Sequence, residues 1–260
     1  MSSNRQAIVQ KFPGKMQLTG VMIMAVLIAG NVDAQWSMLE GEALDLETDR
    51  VVYQERHSMG QGSDGRWIME SDYLDAQGEL FAERTVWFDP QYPQRPDYRL
   101  IDYRDNFEEG ATTLSNGDVE LYRIIDGERS QTTIAPSKKR PLVIDAGFSA
   151  LIATRWDELL AGERVTFDFA SSARLTTIEF RLSRENGPTE EGVERFILEP
   201  SNWFVRMLVK PIVLTYSSQN KTLIGYEGLS NIRKDGGGNH TVQITFPQSH
   251  QFSMRQLPSD

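Results

Sequence analysis

The sequence contains no cysteine and only three histidines among its 260 residues. The absence of cysteine excludes disulfide bonds, thiolate metal ligands, cysteine nucleophiles and the lipid-modified cysteine of a lipoprotein. A domain of roughly 200 residues buries enough apolar surface to be stable without disulfides, so this absence is compatible with an oxidising compartment. The histidines, His57, His240 and His250, are far apart, whereas zinc sites usually combine closely spaced histidines or cysteines. We therefore expect no metal centre and no cofactor.

The sequence also lacks a recognisable catalytic motif. His57 follows Glu55 in a strand-like run, but no nucleophile motif accompanies it, and we interpret the three histidines as exposed strand or turn residues. Carboxylate pairs such as Glu70 and Asp72, on one face of a strand-like run, arise by chance in a chain with 37 acidic residues. Hydrolysis by such a pair remains an alternative. The leading expectation is a non-enzymatic protein without catalytic residues.

Basic side chains are in the minority, with 27 Lys and Arg against 37 Asp and Glu, which gives a formal net charge of −10. Nucleic-acid backbones and anionic membranes attract clustered Lys and Arg instead. The one basic cluster, residues 138–140, lies between two prolines, and we interpret it as a solvated linker. The sequence therefore predicts no nucleic-acid partner.

One long uncharged run, residues 16–32, follows a segment with three basic side chains. Its apolar centre, Val21–Ala29, is short for a membrane-spanning helix, which needs about 20 apolar residues. Small residues then lead to an A-x-A-like cleavage site that ends at Ala34. We interpret residues 1–34 as a cleaved signal peptide, the alternative being a membrane anchor. Cleavage predicts a periplasmic or secreted protein with no stable membrane span. The mature net charge would be −12, since the removed segment carries three basic and one acidic side chain.

Most of the remaining chain alternates apolar and polar residues with a period of two, as in Val165–Phe169, which is typical of a sheet with one buried face. Short turn sequences such as Asp126-Gly127 and Asp235–Asn239 separate these runs, and short connections join antiparallel neighbours. The pattern predicts about ten strands in a curved, largely antiparallel sheet. We expect one β-rich domain over residues 35–247 and a flexible tail over residues 248–260.

Two segments depart from this alternation. Residues 143–160 carry apolar side chains at helical spacing, with Asp145 as a candidate N-cap and Gly162 just beyond the end. They predict one long helix packed on the sheet. Ser201–Lys210 is apolar on nearly every side. It predicts either a short second helix, with Ser201 as its candidate cap, or a buried strand. Pro211 would end such a helix because it lacks an amide hydrogen.

Large apolar side chains are grouped on these two segments. Phe148, Ile152 and Trp156 form one stripe, and Trp203 and Met207 belong to a second cluster. Packing of both groups onto the sheet would give an ordinary core. If the sheet is strongly curved, the same side chains would line a groove that suits an acyl chain or another apolar ligand. These five residues are the candidate ligand-binding residues.

Three parts of the sequence resemble a group of uncharacterised bacterial exported proteins: Tyr73–Arg84, Val143–Leu151, and Ile212–Tyr216 followed by Leu223–Ile232. The combination of a leading helix and a terminal meander is similar in architecture to the outer-membrane lipoprotein carriers. In those carriers, helices cover a curved antiparallel half-barrel. The resemblance implies a half-barrel-like fold and a periplasmic location, and it transfers no catalytic or ligand-contacting residue.

The function that these observations favour is an exported binding module for an apolar or amphipathic ligand, such as a lipid or an envelope component. Its partner would be that ligand or an envelope protein. Two alternatives stay open: an envelope polymer hydrolase with paired carboxylates, and a structural or assembly protein that uses an exposed sheet edge. The space between helix and sheet distinguishes them, because a binding module needs a groove there rather than a filled core.

Overall fold

The computed structural model describes residues 37–207 and 209–246. The predicted signal peptide, residues 1–34, and the predicted tail, residues 248–260, lie outside the described residues. The described part of the chain forms fifteen strands and three short α-helices. The prediction of a mainly β protein with a large curved antiparallel sheet is confirmed.

The strands belong to two consecutive meanders. The first contains eight strands and the second seven, and the helices lie in the second. The first meander consists of β1 (Ser37–Asp45), β2 (Val51–Gln61), β3 (Trp67–Leu74), β4 (Leu80–Phe88), β5 (Asp97–Asp102), β6 (Phe107–Thr113), β7 (Val119–Ile125) and β8 (Glu128–Ile134). The second consists of β9 (Leu142–Ile144), β10 (Val165–Ser171), β11 (Thr176–Arg184), β12 (Val193–Pro200), β13 (Ile212–Ser217), β14 (Leu223–Arg233) and β15 (Asn239–Thr245).

All fifteen strands form one continuous sheet, in the order β8-β7-β6-β5-β4-β3-β2-β1-β15-β14-β13-β12-β11-β10-β9. The first and last described strands, β1 and β15, pair in its middle, so β8 and β9 form the two edges. Neighbouring strands are antiparallel except β9 and β10, which are parallel. The sequence predicted fewer strands because segments such as β6, FEEGATT, do not alternate apolar and polar residues.

The two ends of the sheet contact each other through individual hydrogen bonds, and the edge strands do not pair. The Ser172 hydroxyl, just after β10, donates to the carbonyl oxygen of Gly110 on β6 at 2.8 Å. Arg123 of β7 donates to the carbonyl oxygen of Ala173 at 2.6 Å. A Cβ atom at Gly110 would lie 2.4 Å from the carbonyl oxygen of Tyr98 on the neighbouring strand β5, so this position on β6 requires glycine. The sheet is therefore strongly curved without closing into a barrel.

The segment predicted as one long helix, residues 143–160, is divided in the structure. It begins as the buried strand β9 and continues as a 3-10 turn, after which two helices are separated at Arg155, whose φ of −106° and ψ of 15° are not helical. The elements after β9 are the 3-10 turn Asp145–Gly147, α1 (Phe148–Thr154) and α2 (Trp156–Leu160).

The second predicted helix is also shorter than expected. Helix α3 spans Trp203–Arg206, and its cap is Asn202, not Ser201: the Asn202 side-chain oxygen accepts hydrogen bonds from the amides of Phe204 and Val205. Within residues 37–207 and 209–246, no helix combines the length and apolar character that crossing a membrane requires.

Helices α1 and α2 pack on the second meander and form a hydrophobic cluster with it. Trp156 is the largest side chain there, and its ring contacts Phe196 and Tyr216 edge to face, with centroids 5.2 and 6.0 Å away. Such aromatic pairs stabilise a core beyond the area that they bury. The helices therefore cover strands β10–β13 on one side. The buried members of this cluster are Val143, Leu151, Ile152, Trp156, Leu159, Phe167, Leu182, Phe196, Leu198, Leu214 and Tyr216.

Candidate functional site

The curved sheet surrounds a cavity of about 1030 Å³. Its wall contains residues from β1–β6 and from β10–β15, together with the 3-10 turn, α1 and α3. A volume of this size is at the upper end of small-molecule sites. The space between the helices and the sheet, which the sequence analysis identified as decisive, is filled by the hydrophobic cluster around Trp156. The cavity lies instead within the curve of the sheet, where α1 contributes Phe148 and Ser149 to the wall.

Most of the apolar side chains on the wall come from the second meander. Phe148 on α1 and Val205 on α3 extend this surface from the helices. This surface favours an apolar ligand because burial of apolar area contributes about 25 cal/mol per Å². The apolar wall residues of this half are Phe169, Ala170, Ala173, Ile178, Phe180, Leu198, Pro200, Val209, Ile212, Leu214, Leu223, Leu229, Ile244 and Phe246, together with the ring of Tyr226.

Charged side chains on the buried part of the wall come from the first meander and the 3-10 turn. We call Glu55, His57, Arg84, Glu109 and Asp145 the polar cluster; all five line the cavity. Strand register explains the grouping, because residues directly opposite each other on neighbouring strands point to the same face. The cross-strand row consists of His57, Ser71, Arg84, Leu100 and Glu109, on β2 to β6 in order.

His57 is held by hydrogen bonds at both ring nitrogens. Its Nδ1 lies 2.8 Å from the Ser71 hydroxyl and its Nε2 lies 2.9 Å from Oε2 of Glu55. Only 6% of His57 is exposed, so the expectation that it is an exposed strand residue is wrong. Ser71 is 1% exposed and does not line the cavity. A serine sealed behind the wall cannot attack a substrate in the cavity, so these hydrogen bonds fix the orientation of the imidazole.

Arg84 and Asp145 form an ion pair across the cavity wall. The Nη1 atom of Arg84 lies 3.4 Å from the Asp145 carboxylate, and the two side chains are 13% and 11% exposed. Burial is the strongest single influence and disfavours the charged guanidinium, but the acidic groups around it, Asp145 first and Glu55 among the others, together outweigh burial and raise the pKa of Arg84. Asp145 has a φ of +41°, and its carboxylate faces Arg84 instead of capping a helix.

Glu109 is the least satisfied member of the polar cluster. The Tyr98 hydroxyl donates to its Oε1 at 3.3 Å, whereas its Oε2 is buried without a hydrogen-bond partner among the described residues. Burial raises the pKa of Glu109 to about 7, and the negative charge of Asp145 contributes in the same direction. Glu109 therefore exchanges its proton near neutral pH and can both donate and accept hydrogen bonds.

The cavity opens to solvent beside β11 and α3. Three exposed charged residues of the wall mark this opening: Arg174 before β11, Glu179 on β11 and Lys210 after α3. Helix α3 contributes Val205 to the wall, while its outward residues Trp203 and Phe204 are 53% and 58% exposed and their rings stack. Large apolar side chains therefore stand in solvent on the helix that borders the opening.

The five candidate ligand-binding residues occupy three different environments. Phe148 lines the cavity. Ile152 and Trp156 are buried in the hydrophobic cluster beneath the helices, and Trp203 and Met207 are exposed on or directly after α3. The structure therefore does not bring them together in one site.

The acidic residues considered from the sequence lie outside the cavity, whereas others lie inside it. Glu70 and Asp72 are exposed on β3, while Glu55, Glu109 and Asp145 line the cavity. Among the described residues, no group of three or more His, Asp or Glu side chains could hold a metal ion.

Among solved structures, the chain is similar to the crystal structure of a beta-barrel-like protein of a domain of unknown function, DUF1849, from Brucella abortus. The TM-score is 0.44 and the identity is 7%, over 81% of this chain and 93% of that chain. No protein-family model matches the sequence. No curated protein matches it significantly either.

Proposed function

We propose that the protein is an exported, non-enzymatic binding module that holds an apolar or amphipathic ligand, such as a lipid, in the central cavity. The observation that carries the proposal is the cavity of about 1030 Å³, in which the second meander supplies most of the apolar side chains of the wall. A folded chain tends to close apolar voids, since interiors pack as densely as organic crystals. A large apolar space that remains open is therefore suited to a ligand.

The distribution of charge within the cavity favours an amphipathic ligand. The polar cluster lies on the first meander and the 3-10 turn, whereas the second meander supplies the apolar surface. A ligand with a polar head and a hydrocarbon tail would match both parts of the wall. Removal of its tail from water would stabilise the complex by about 0.8 kcal/mol for each buried methylene group.

The exposed side chains near the opening favour exchange of the ligand with an apolar environment. Trp203, Phe204 and Met207 expose more than half of their surface to solvent. Aromatic side chains with this exposure are enriched where proteins contact membranes or other proteins. A ligand that leaves a membrane would meet these side chains before it enters the cavity.

Native mass spectrometry after incubation with a bacterial lipid extract tests the proposal. The unchanged protein should retain a lipid, and Ile178→Arg should lose it, because the substitution places a charge on the apolar wall. Leu80→Arg, at an exposed position on β4, is the matched control and should retain the lipid. Absence of any retained lipid on the unchanged protein would reject the proposal, as would equal retention by the two variants.

A second candidate, hydrolysis of an envelope polymer by paired carboxylates, is favoured by one observation. Glu109 and Asp145 both line the cavity, and Asp145 contributes to the raised pKa of Glu109. A pair of carboxyl groups, one of them with a raised pKa, is what glycoside hydrolysis needs. Release of reducing sugar from purified peptidoglycan, abolished by Glu109→Gln, would support this candidate, and no release by the unchanged protein would remove it.

A further inference from the structure

The polar cluster contains buried polar atoms without hydrogen-bond partners among the described residues. They are one donor, Nε of Arg84, and two acceptors, Oε2 of Glu109 and Oδ2 of Asp145. Glu109 is more than nine-tenths buried and lines the cavity. A buried polar group without a partner costs about 1–3 kcal/mol, so native proteins keep few of them. A ligand that supplies the missing partners would recover this free energy.

The charges of the polar cluster decide which headgroup fits. Its one permanent cation, Arg84, is already paired with Asp145, and two further carboxyl groups, Glu55 and Glu109, face the same space. A phosphate or carboxylate headgroup would be repelled by this acidic majority, and it has no protons to donate to Glu109. A quaternary ammonium group has no hydrogen to donate and could not accept from Arg84. A hydroxyl group can donate to a carboxylate and accept from a guanidinium.

We propose that the polar cluster binds an uncharged polyhydroxyl headgroup, such as the sugar of a glycolipid, with its hydroxyl groups bonded to Glu109, Asp145 and Arg84. The hydrocarbon tail then lies against the apolar wall of the second meander. This inference rests on the proposed function, because it names the ligand class of the same cavity. Neighbouring hydroxyl groups of one sugar ring can engage a donor and an acceptor together, which is the pattern that the cluster offers.

Four amphiphiles with unbranched tails of eleven or twelve carbons test the headgroup assignment on the intact protein. The probes are dodecyl maltoside, dodecylphosphocholine, dodecanoate and dodecyltrimethylammonium, each titrated calorimetrically below its critical micelle concentration. We expect dodecyl maltoside to bind at least about tenfold more tightly than the other three, because one hydrogen bond to a charged group contributes a factor of this size. Glu109→Gln should weaken the binding of dodecyl maltoside by about tenfold and leave the order of affinities for the other three probes unchanged. Glu70→Gln, at an exposed position on β3, should bind like the unchanged protein.

The outcomes separate this inference from the proposed function. Equal affinity for all four probes would keep a ligand-binding cavity and overturn the sugar headgroup, and tightest binding of dodecanoate would overturn it in favour of an anion. No binding of any probe would overturn both. Tight binding of dodecyl maltoside that Glu109→Gln does not change would overturn the role of the polar cluster. If Glu109→Gln does not fold, the headgroup order on the unchanged protein still decides between these outcomes.

Discussion

Replacement of Glu109 by glutamine should change how the stability of the protein depends on pH. Burial raises the pKa of Glu109 to about 7 in the folded protein, from 4.5 for an unperturbed glutamate. The folded state therefore keeps the proton over a pH range in which the unfolded chain has lost it. The stability that this proton provides is complete below pH 4.5 and is lost as the pH rises through 7.

The size of the effect follows from the pKa difference. Each unit is worth about 1.4 kcal/mol, so Glu109 should lower the free energy of unfolding by roughly 3 kcal/mol above pH 7 relative to acidic pH. Glutamine cannot ionise but retains an oxygen that accepts from Tyr98. The free energy of unfolding of Glu109→Gln, compared with that of the unchanged protein, should therefore rise by roughly 2–3 kcal/mol between about pH 5 and pH 8.

Urea unfolding at the two pH values, followed by tryptophan fluorescence, measures this difference. Glu70→Gln removes a carboxylate from an exposed position and should follow the unchanged protein within about 0.5 kcal/mol. The reasoning fails if the difference between Glu109→Gln and the unchanged protein is the same at both pH values. A gain that appears at acidic pH instead would show that the charged form is the stabilised one.

Three further predictions concern other parts of the fold, and urea unfolding checks each. Arg84→Met should lower the free energy of unfolding by about 3–5 kcal/mol because it leaves Asp145 buried without its partner. Adding Asp145→Asn to this variant should recover part of the loss, and additive losses would contradict the coupling of the two residues. Gly147→Ala should lower the free energy of unfolding by more than about 2 kcal/mol, since its Cβ would lie 2.2 Å from the carbonyl oxygen of Gln94 in the β4–β5 loop. An unchanged stability would contradict that contact. Trp156→Ala should lower the free energy of unfolding by about 3–5 kcal/mol, whereas Trp203→Ala, at an exposed position, should lower it by less than about 0.5 kcal/mol. Similar losses for the two variants would contradict the placement of these side chains.

The sheet could be predicted from the sequence because alternation records which face of a strand is buried. Val165–Phe169 and Val242–Phe246 alternate clearly, and both coincide with strands at the expected places. The long helix over residues 143–160 was a less accurate prediction. Its first residues, Val143 and Ile144, are β-branched and fully buried, and together with Leu142 they pair with β10 as a strand. Helical spacing cannot distinguish such a start from a helix, because the competing pairing is made with distant residues.

The polar cluster was missed although the sequence contained a signal for it. In β2, the inward positions are Tyr53, Glu55, His57 and Met59, so two polar residues stand in an otherwise apolar series. Ser71 stands in the same way between Met69 and Tyr73. Polar residues at inward positions on adjacent strands indicate a lined cavity. Their meeting in one row depends on strand register, which the sequence pattern does not specify.

The pairing of β1 with β15 has a consequence for biosynthesis. Strand β1 finds its second neighbour only when β15 has emerged, about two hundred residues later in the chain. Until then its backbone amides and carbonyls on that side remain free, and a free strand edge is a site where chains associate wrongly. Premature termination anywhere before residue 239 would leave that edge permanently open. The nascent polypeptide should therefore need protection of this edge until β15 has been made.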